Sequence, residues 1–500
     1  MANSAQNLKA ILVIVVSAIL AVWLGVSLVT DQTETLIYGA AGAVVLTALF
    51  LGRKVWLLMI FFSAANVVLI RGFGTTDIGQ ALFLGCSLAM LCIRKLKFSL
   101  SFGELEVWGL LIVACILQAY FRNPVGLNVL GSGSVGARPY TVAALAIVSA
   151  ALLSCLRVEP DELKWAMWLS LLGGVLGIFG NVLRTGMTFT EEGLARIPPL
   201  STAGQIAALW LTSRISPLRA CLHFFWGAVL LFSIFAAAGS AYRNAVAMVL
   251  LIYFFGICYR SGRQGMVFAL IAASFGLGVL AIVNSNFPLP GNIQRALSPL
   301  PGTWEDQYVK GADASTDWRM EMWQEALLTD RWIHDKTFGD GMGMTAVQLQ
   351  QNENISATRA GKTSSGLLVQ QENMLINGSY HSGPVHTIRA VGYVGLVVLL
   401  LAMIRVSVHA HRQIMRCRNT EWFPVALYFG IPLLINPIFF VFIFGEFQTG
   451  VATTVLGAAM IRLFEKNLPL PALPGRRRDP YPLPVSMLRQ QAAQGGSYRI

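Results

Sequence analysis

GMVFALIAASFGLGVLAIVN, residues 265–284, runs for twenty residues without a charge. A helix rises about 1.5 Å per residue, so this stretch just covers a hydrocarbon core of about 30 Å. Lipid offers no water to an unpaired backbone N–H or C=O, which makes a helix the only sensible conformation there. Comparable runs recur near 10–29, 35–51, 55–70, 77–93, 105–120, 141–156, 164–183, 202–213, 220–238, 244–259, 388–405, 422–443 and 449–463. The run at 202–213 is short and that at 422–443 holds Pro424, Pro432 and Pro437, so twelve or thirteen crossings stay open beside fourteen. The expected fold class is all-α integral membrane: a polytopic bundle of about 12–14 transmembrane helices with one long loop, containing short helices, on the far side of the membrane from the N-terminus.

Composition agrees. Apolar residues make up 55% of the 500-residue chain and charged residues 12%, against roughly 25% charged in soluble domains. A soluble protein of this size could not keep that much apolar side chain from water. With the N-terminus inside, Lys and Arg concentrate on the inner side, and most of the remainder lie in the long loop, which escapes the positive-inside rule. The net charge of +12 is then an insertion signal and an attraction to anionic membrane lipids, not a nucleic-acid footprint. The first run lacks a small-residue cleavage site before Asp31 and is expected to be an uncleaved signal anchor. None of the seven cysteines falls in the long loop, which is therefore expected to lack disulfides and cysteine metal sites.

Four regions follow: helices 1–11 over 1–284, the long loop over 285–387, helices 12–14 over 388–463, and a basic, Pro-rich inner tail over 464–500, expected to be disordered. Within the loop, DWRMEMWQEALLTDRW (317–332) places Trp318, Met322, Trp323, Ala326 and Leu327 near one helical face, with Asp317 as N-cap. Asp340–Gly343 is expected to turn. Trp318, Trp323 and Trp332 suit a loop core, an interfacial belt or a sugar-stacking platform.

Ionisable groups are scarce in mid-span, where ion-coupled transporters need them. Arginines and histidines gather instead at the outer helix ends, among them Arg122, Arg138, Arg196, Arg243, Arg319, His381, His386 and Arg389. Each one alone suits interfacial anchoring. As a set they suit an anionic ligand, above all a lipid diphosphate, because guanidinium forks match phosphate oxygens.

HSGPVHTIRAVGYVG (381–395) resembles the signature of the O-antigen ligase and polymerase superfamily, in which His-Asn or His-Ser ends the large periplasmic loop and Gly-x-x-Gly opens the next helix. Gly239-Ser240-Ala241-Tyr242-Arg243 and the segment Arg319–Gly343 resemble two further patches of that family. Pro384 and Val385 stand where the family has Tyr-Leu, and Tyr242 where it has Ser. The resemblance implies a glycosyltransferase at the periplasmic face of the bacterial inner membrane, both chain termini being cytoplasmic. It would move a glycan from a polyprenyl diphosphate donor to the hydroxyl of a lipid acceptor (ligase) or glycan acceptor (polymerase), in surface polysaccharide synthesis. Arg243 and Arg319 would bind the diphosphate, and His381 would act as general base or as a phosphate contact. His386 is the alternative histidine, and Arg389, Arg138 and Arg196 are secondary candidates. The chemistry needs no metal or other cofactor. From another class, a flippase for lipid-linked oligosaccharide would need charges at membrane depth. Gly392 and Gly395 also suit plain helix packing.

Overall fold

A computed structural model of the chain describes residues 51–70, 73–92, 102–124, 138–185, 188–189, 195–298, 302–343, 374–375 and 378–468, and Gly42. The expected span 10–29, nearly all of 35–51, most of the tail, Arg71 (a further arginine at an outer helix end) and Glu372 (an acid of the long loop) lie outside the described residues.

The helices are α1 (Val55–Ala65), α2 (Thr75–Cys92), α3 (Glu104–Arg122), α4 (Arg138–Cys155), α5 (Pro160–Thr185), α6 (Pro198–Arg214), α7 (Pro217–Ala220), α8 (Phe224–Gly239), α9 (Arg243–Asn286), α10 (Gly291–Leu297), α11 (Asp306–Leu328), α12 (Gly383–Cys417), α13 (Phe423–Phe442) and α14 (Phe447–Asn467). Among the described residues, strands are confined to two ladders: β1 (Val68–Ile70) with β2 (Phe73–Gly74), and β3 (Thr188–Phe189) with β4 (Ala195–Arg196), each antiparallel. Eight helices, α2–α5, α9 and α12–α14, are long and apolar enough to cross a membrane by length and composition. Large apolar side chains face outward, with Phe179 62%, Phe235 60% and Phe275 75% exposed. A water-soluble surface would not carry so many. The chain is an all-α, membrane-embedded, multi-pass protein.

Each expected span that falls on described residues meets a helix, with informative differences. The run 55–70 ends as helix at Ala65, where Asn66 takes a left-handed conformation (φ 44) and the β1–β2 turn follows. The runs 244–259 and 265–284 are two helices that meet at Gly262, whose backbone is non-helical (φ 67, ψ −162), and are named together as α9. Prolines open α6, α7, α12 and α13, where a missing N–H costs nothing, whereas Pro432 and Pro437 lie inside α13. Pro384 is one of these, and it suits the start of α12.

Contacts sort the helix ends into two groups. At one, the lower end, Glu162 is buried against Trp56 (Nε1–H to Oε2, 3.1 Å) and Lys164 meets Glu421 (2.8 Å). There too Arg462 donates to Glu106 (2.6 Å) and Glu465 (2.8 Å), and His409 lies between Glu465 (3.2 Å) and Glu104 (3.4 Å). This network ties α3, α12 and α14 together. At the other, the upper end, α3 finishes and α6, α9, α12 and α14 begin, together with α10, α11 and the turn 330–343. Arg122 pairs there with Asp335, and Asn123 donates to the Asp340 carbonyl (3.0 Å). Small residues let the helices approach closely; a Cβ on Gly177 of α5 would lie 2.0 Å from the Ala65 carbonyl oxygen.

The segment between α9 and α12 carries α11, which is longer than 317–332 implies. It begins at Asp306 with Glu305 as N-cap and stops at Leu328. Met322 and Ala326 on its apolar face join Trp332, Ile333, Leu375, Tyr380, Val385 and Ile388 in a small separate core, flanked by Trp318, Trp323 and Leu327. The tryptophans therefore serve the loop core.

Candidate anion site at the upper end

The turn from α8 to α9 begins the site. Ser240 is buried and donates to the Ala237 carbonyl (2.6 Å), Ala241 adopts φ 62, and Tyr242 caps α9. Arg243 is thus the first residue of a long helix. A cation there adds to the positive end of the helix macrodipole, an arrangement that a bound anion resolves. Three neighbours fix the turn. The Ile197 N–H approaches the Ser240 carbonyl (3.4 Å), Asn292 of α10 donates to the Gly239 carbonyl (3.2 Å), and Arg243 Nη2 donates to Thr316 Oγ1 of α11 (3.2 Å). Arg196, closing β4, lays its guanidinium over the Tyr242 ring at 5.8 Å. Segments 195–197, 239–243, α10 and α11 therefore converge.

Arg319 stands at the centre. It is half-buried on α11, beside the Trp318 ring (5.9 Å), and its Nε has no hydrogen-bond partner. Burial, then the like charges of Arg243, Arg196 and Arg295, hold its guanidinium below the ordinary arginine value. The carboxylate of Asp313 acts on Arg243. Like charges gathered in one environment oppose each other, and a bound anion would relieve that opposition.

His381 faces the same guanidinium. Trp323 Nε1–H donates to the Tyr380 carbonyl (2.6 Å), and the Tyr380 ring is fully buried, so residues 380–382 are pinned to α11. His381 itself takes φ 51 and packs its ring against Phe444 at 5.6 Å. Burial, then Arg319, push its pKa below the ordinary imidazole value. A neutral imidazole beside a guanidinium cluster can accept a proton from a hydroxyl while the arginines hold an anion.

Of the residues proposed from sequence, Arg196, Arg243, Arg319 and His381 come together. His386 and Arg389 instead have structural partners. His386 Nδ1 accepts the Phe447 N–H (3.0 Å). Arg389 is buried over Gly378, reaches the Gly343 carbonyl (3.5 Å), and its own carbonyl accepts the Asp340 N–H (2.7 Å). Arg138 opens α4, two residues before Tyr140, whose hydroxyl oxygen accepts the Met342 N–H (3.0 Å), so this helix start adjoins the 330–343 turn. Asp340 organises that turn by accepting the N–H groups of His334 (2.8 Å) and Asp335 (2.9 Å).

Sequence reasoning missed two residues. Arg295, buried on α10, is the fourth guanidinium; its signal was only one more arginine within an outer loop. Glu446 lies in the turn that carries Phe444 to His381 and Phe447 to His386. Desolvation holds its carboxyl above the ordinary range. Among the described residues no group of three or more His, Cys, Asp or Glu side chains is placed to hold a metal ion. No protein-family model matches the chain, and no curated protein matches it either.

Proposed function

We propose that this chain is a membrane glycosyltransferase of the O-antigen ligase type. It transfers a glycan from a polyprenyl diphosphate carrier to an acceptor hydroxyl at the periplasmic face of the inner membrane. One observation carries the reading: α11 places Arg319 between Thr316, which accepts from Arg243, and Trp323, which donates to the carbonyl of Tyr380 beside His381. The acceptor oxygen attacks the anomeric carbon, the glycosidic C–O electron pair leaves on the diphosphate, and His381 takes the acceptor proton. Negative charge grows on the phosphate as the bond breaks, so fixed guanidiniums stabilise the transition state more than the ground state.

In this reading the upper end faces the periplasm and the ion-pair end the cytoplasm. Cysteine labelling at position 381 from the cytoplasmic side alone would reverse the orientation and end the proposal. For the chemistry, His381→Ala is expressed in a strain lacking the native gene, and surface glycan is followed on gels. Normal membrane levels with loss of long or lipid-anchored glycan are expected; unchanged glycan removes His381 from the mechanism. Whether the null strain stores long chains or single repeats on the carrier separates ligase from polymerase.

A further inference from the structure

We infer that the lower end of the bundle binds an anionic phospholipid: Arg214, Arg219 and Arg260 take its phosphate, and Leu222 and Phe224 lie against its acyl chains. This site sits at the opposite end from the anion site above and does not depend on the glycosyltransferase reading.

The sequence sets up the charge. Residues 193–304 contain seven arginines and neither Asp, Glu nor Lys. Three of these arginines, at 196, 243 and 295, belong to the upper end. The other four, Arg214, Arg219, Arg260 and Arg263, fall at the end of α6, on α7 and at the bend of α9.

Hydrogen bonds bring these segments together. Arg260 donates from Nε to the Thr212 carbonyl (2.6 Å) and from Nη2 to the Ser213 carbonyl, so it caps α6 beside Arg214 and leaves Nη1 uncommitted. Ser216, the N-cap of α7, shares a hydrogen bond with Ser261 (Oγ to Oγ, 2.6 Å). A Cβ on Gly265 would come within 3.4 Å of Leu218. The short helix carrying Arg219 is thus fastened to the bend at Gly262. Arg214 lies over the Trp168 ring (4.9 Å) and Arg260 over the Phe423 ring (5.2 Å). All of these partners are uncharged.

The neighbouring sector of the lower end is built differently. There Arg53 pairs with Glu159 and Glu162, Lys164 with Glu421 and Asp161, Arg405 with Glu104, and Arg462 with Glu106 and Glu465. Membrane insertion and interfacial anchoring ask only that cations gather on one side. They give no reason for one sector to neutralise its cations with carboxylates while the next answers them with carbonyls and rings. The negative end of the α6 macrodipole suits one cation, and Arg260 already occupies its carbonyls. An external anion accounts for the others.

The adjoining surface gives the class of that anion. The Leu222 N–H donates to the Arg219 carbonyl (3.1 Å), which keeps the α7–α8 turn beside the arginine. On that turn Leu222 is 91% and Phe224 95% exposed. A soluble polyanion gains nothing from such neighbours, whereas an acyl chain does. Guanidiniums that match phosphate oxygens, set beside bare apolar side chains at the end of a membrane bundle, fit a phospholipid with net negative charge.

The full chain, purified in detergent, is titrated with phosphatidylglycerol or phosphatidylcholine of the same acyl chains, and bound lipid is counted by native mass spectrometry. Phosphatidylglycerol should bind in preference; equal binding of both overturns the proposal. Arg214→Gln with Arg219→Gln, both at exposed side chains, should weaken phosphatidylglycerol binding by about thirtyfold, roughly fivefold for each arginine taken from an anionic headgroup. Should that pair unfold, Arg219→Gln alone should still cost about fivefold. Lys54→Gln with Arg405→Gln removes as much charge from the carboxylate-paired sector and should leave binding unchanged. An equal loss there would reduce the effect to net charge and sink the site. Leu222→Ser with Phe224→Ser should weaken the lipid while all arginines stay in place; unchanged binding rejects the acyl-chain contact. Glycerol 3-phosphate in large excess should not displace the lipid, and displacement would show a site for soluble phosphate esters instead.

Discussion

Replacing Gly392 by alanine should destabilise the chain by about 3–5 kcal/mol and, on the proposed glycosyltransferase reading, remove most transfer activity with it. Gly392 bends α12 at φ 72, ψ −177, a conformation reserved for glycine. A Cβ there would lie 2.1 Å from the Thr337 carbonyl oxygen and 2.4 Å from the Phe338 nitrogen. The bend frees helix N–H groups, and the 330–343 turn answers them: Tyr393 N–H donates to the Lys336 carbonyl (2.8 Å) and Val394 N–H to the Thr337 carbonyl (3.2 Å). Irregular backbone within an apolar helix survives only when such partners are supplied. The strained backbone contributes about 1–3 kcal/mol. The two hydrogen bonds, pushed apart by the methyl group, contribute about 1 kcal/mol each. Thermal unfolding in detergent, followed beside a transfer assay, measures both effects. Gly239→Ala is the control, since a Cβ at that residue, also within a motif, meets nothing within 4 Å; it should melt like the unaltered protein. Gly392→Ala melting at the unaltered temperature, with full transfer, would show that the turn does not depend on the bend.

The transfer rate should fall as pH drops through a value below 6.5, because burial and Arg319 hold the His381 pKa under that ordinary imidazole value. Its neutral form is favoured by folding, so stability from this group is present above the unfolded pKa and lost as pH falls through the folded one. In Arg319→Gln the residual rate should lose its acid limb at higher pH, since one of the two depressing causes is gone; an unmoved limb would detach His381 from the rate. Arg462→Gln, at the opposite end of the bundle, leaves Glu106 and Glu465 without their shared cation. Removing one partner of such a pair costs about 3–5 kcal/mol, which should lower the melting temperature while the donor KM stays unchanged.

The spans were legible because lipid permits one answer: an uncharged run of twenty residues has no partner for its backbone except itself. The bends were not. Gly262 and Gly392 look like ordinary helix glycines in sequence, and at Gly392 it is the turn around Lys336 and Thr337, more than fifty residues earlier, that makes a bend tolerable. The start of α11 was hidden for a different reason. Residues 306–316 (DQYVKGADAST) lack an apolar stripe, so periodicity appeared only once Trp318 and Met322 entered the loop core. Arg243, Arg319 and His381 stood out as charges at helix ends, but Arg295 gained meaning only through Asn292, which ties α10 to the Gly239 carbonyl. Spacing along the chain carries no trace of that contact.

The division of labour within the motifs follows from the same geometry. Among the described residues three non-glycine positions have positive φ: Asn66, Ala241 and His381. Asn66 ends a helix, where asparagine is a natural left-handed cap. The other two fall in the segments that present Arg243 and His381. Each such conformation costs about 1–3 kcal/mol and lasts only where neighbours fix it. Ser240, buried and bonded to Ala237, holds the first; Tyr380, buried and bonded through its carbonyl to Trp323, holds the second. The residues flanking the charges therefore set backbone that the charges alone would not adopt. It follows that substituting Ser240 or Trp323 should reduce transfer without touching a phosphate, and that a site rebuilt from the four arginines and the histidine on straight helices would bind anions yet turn over poorly.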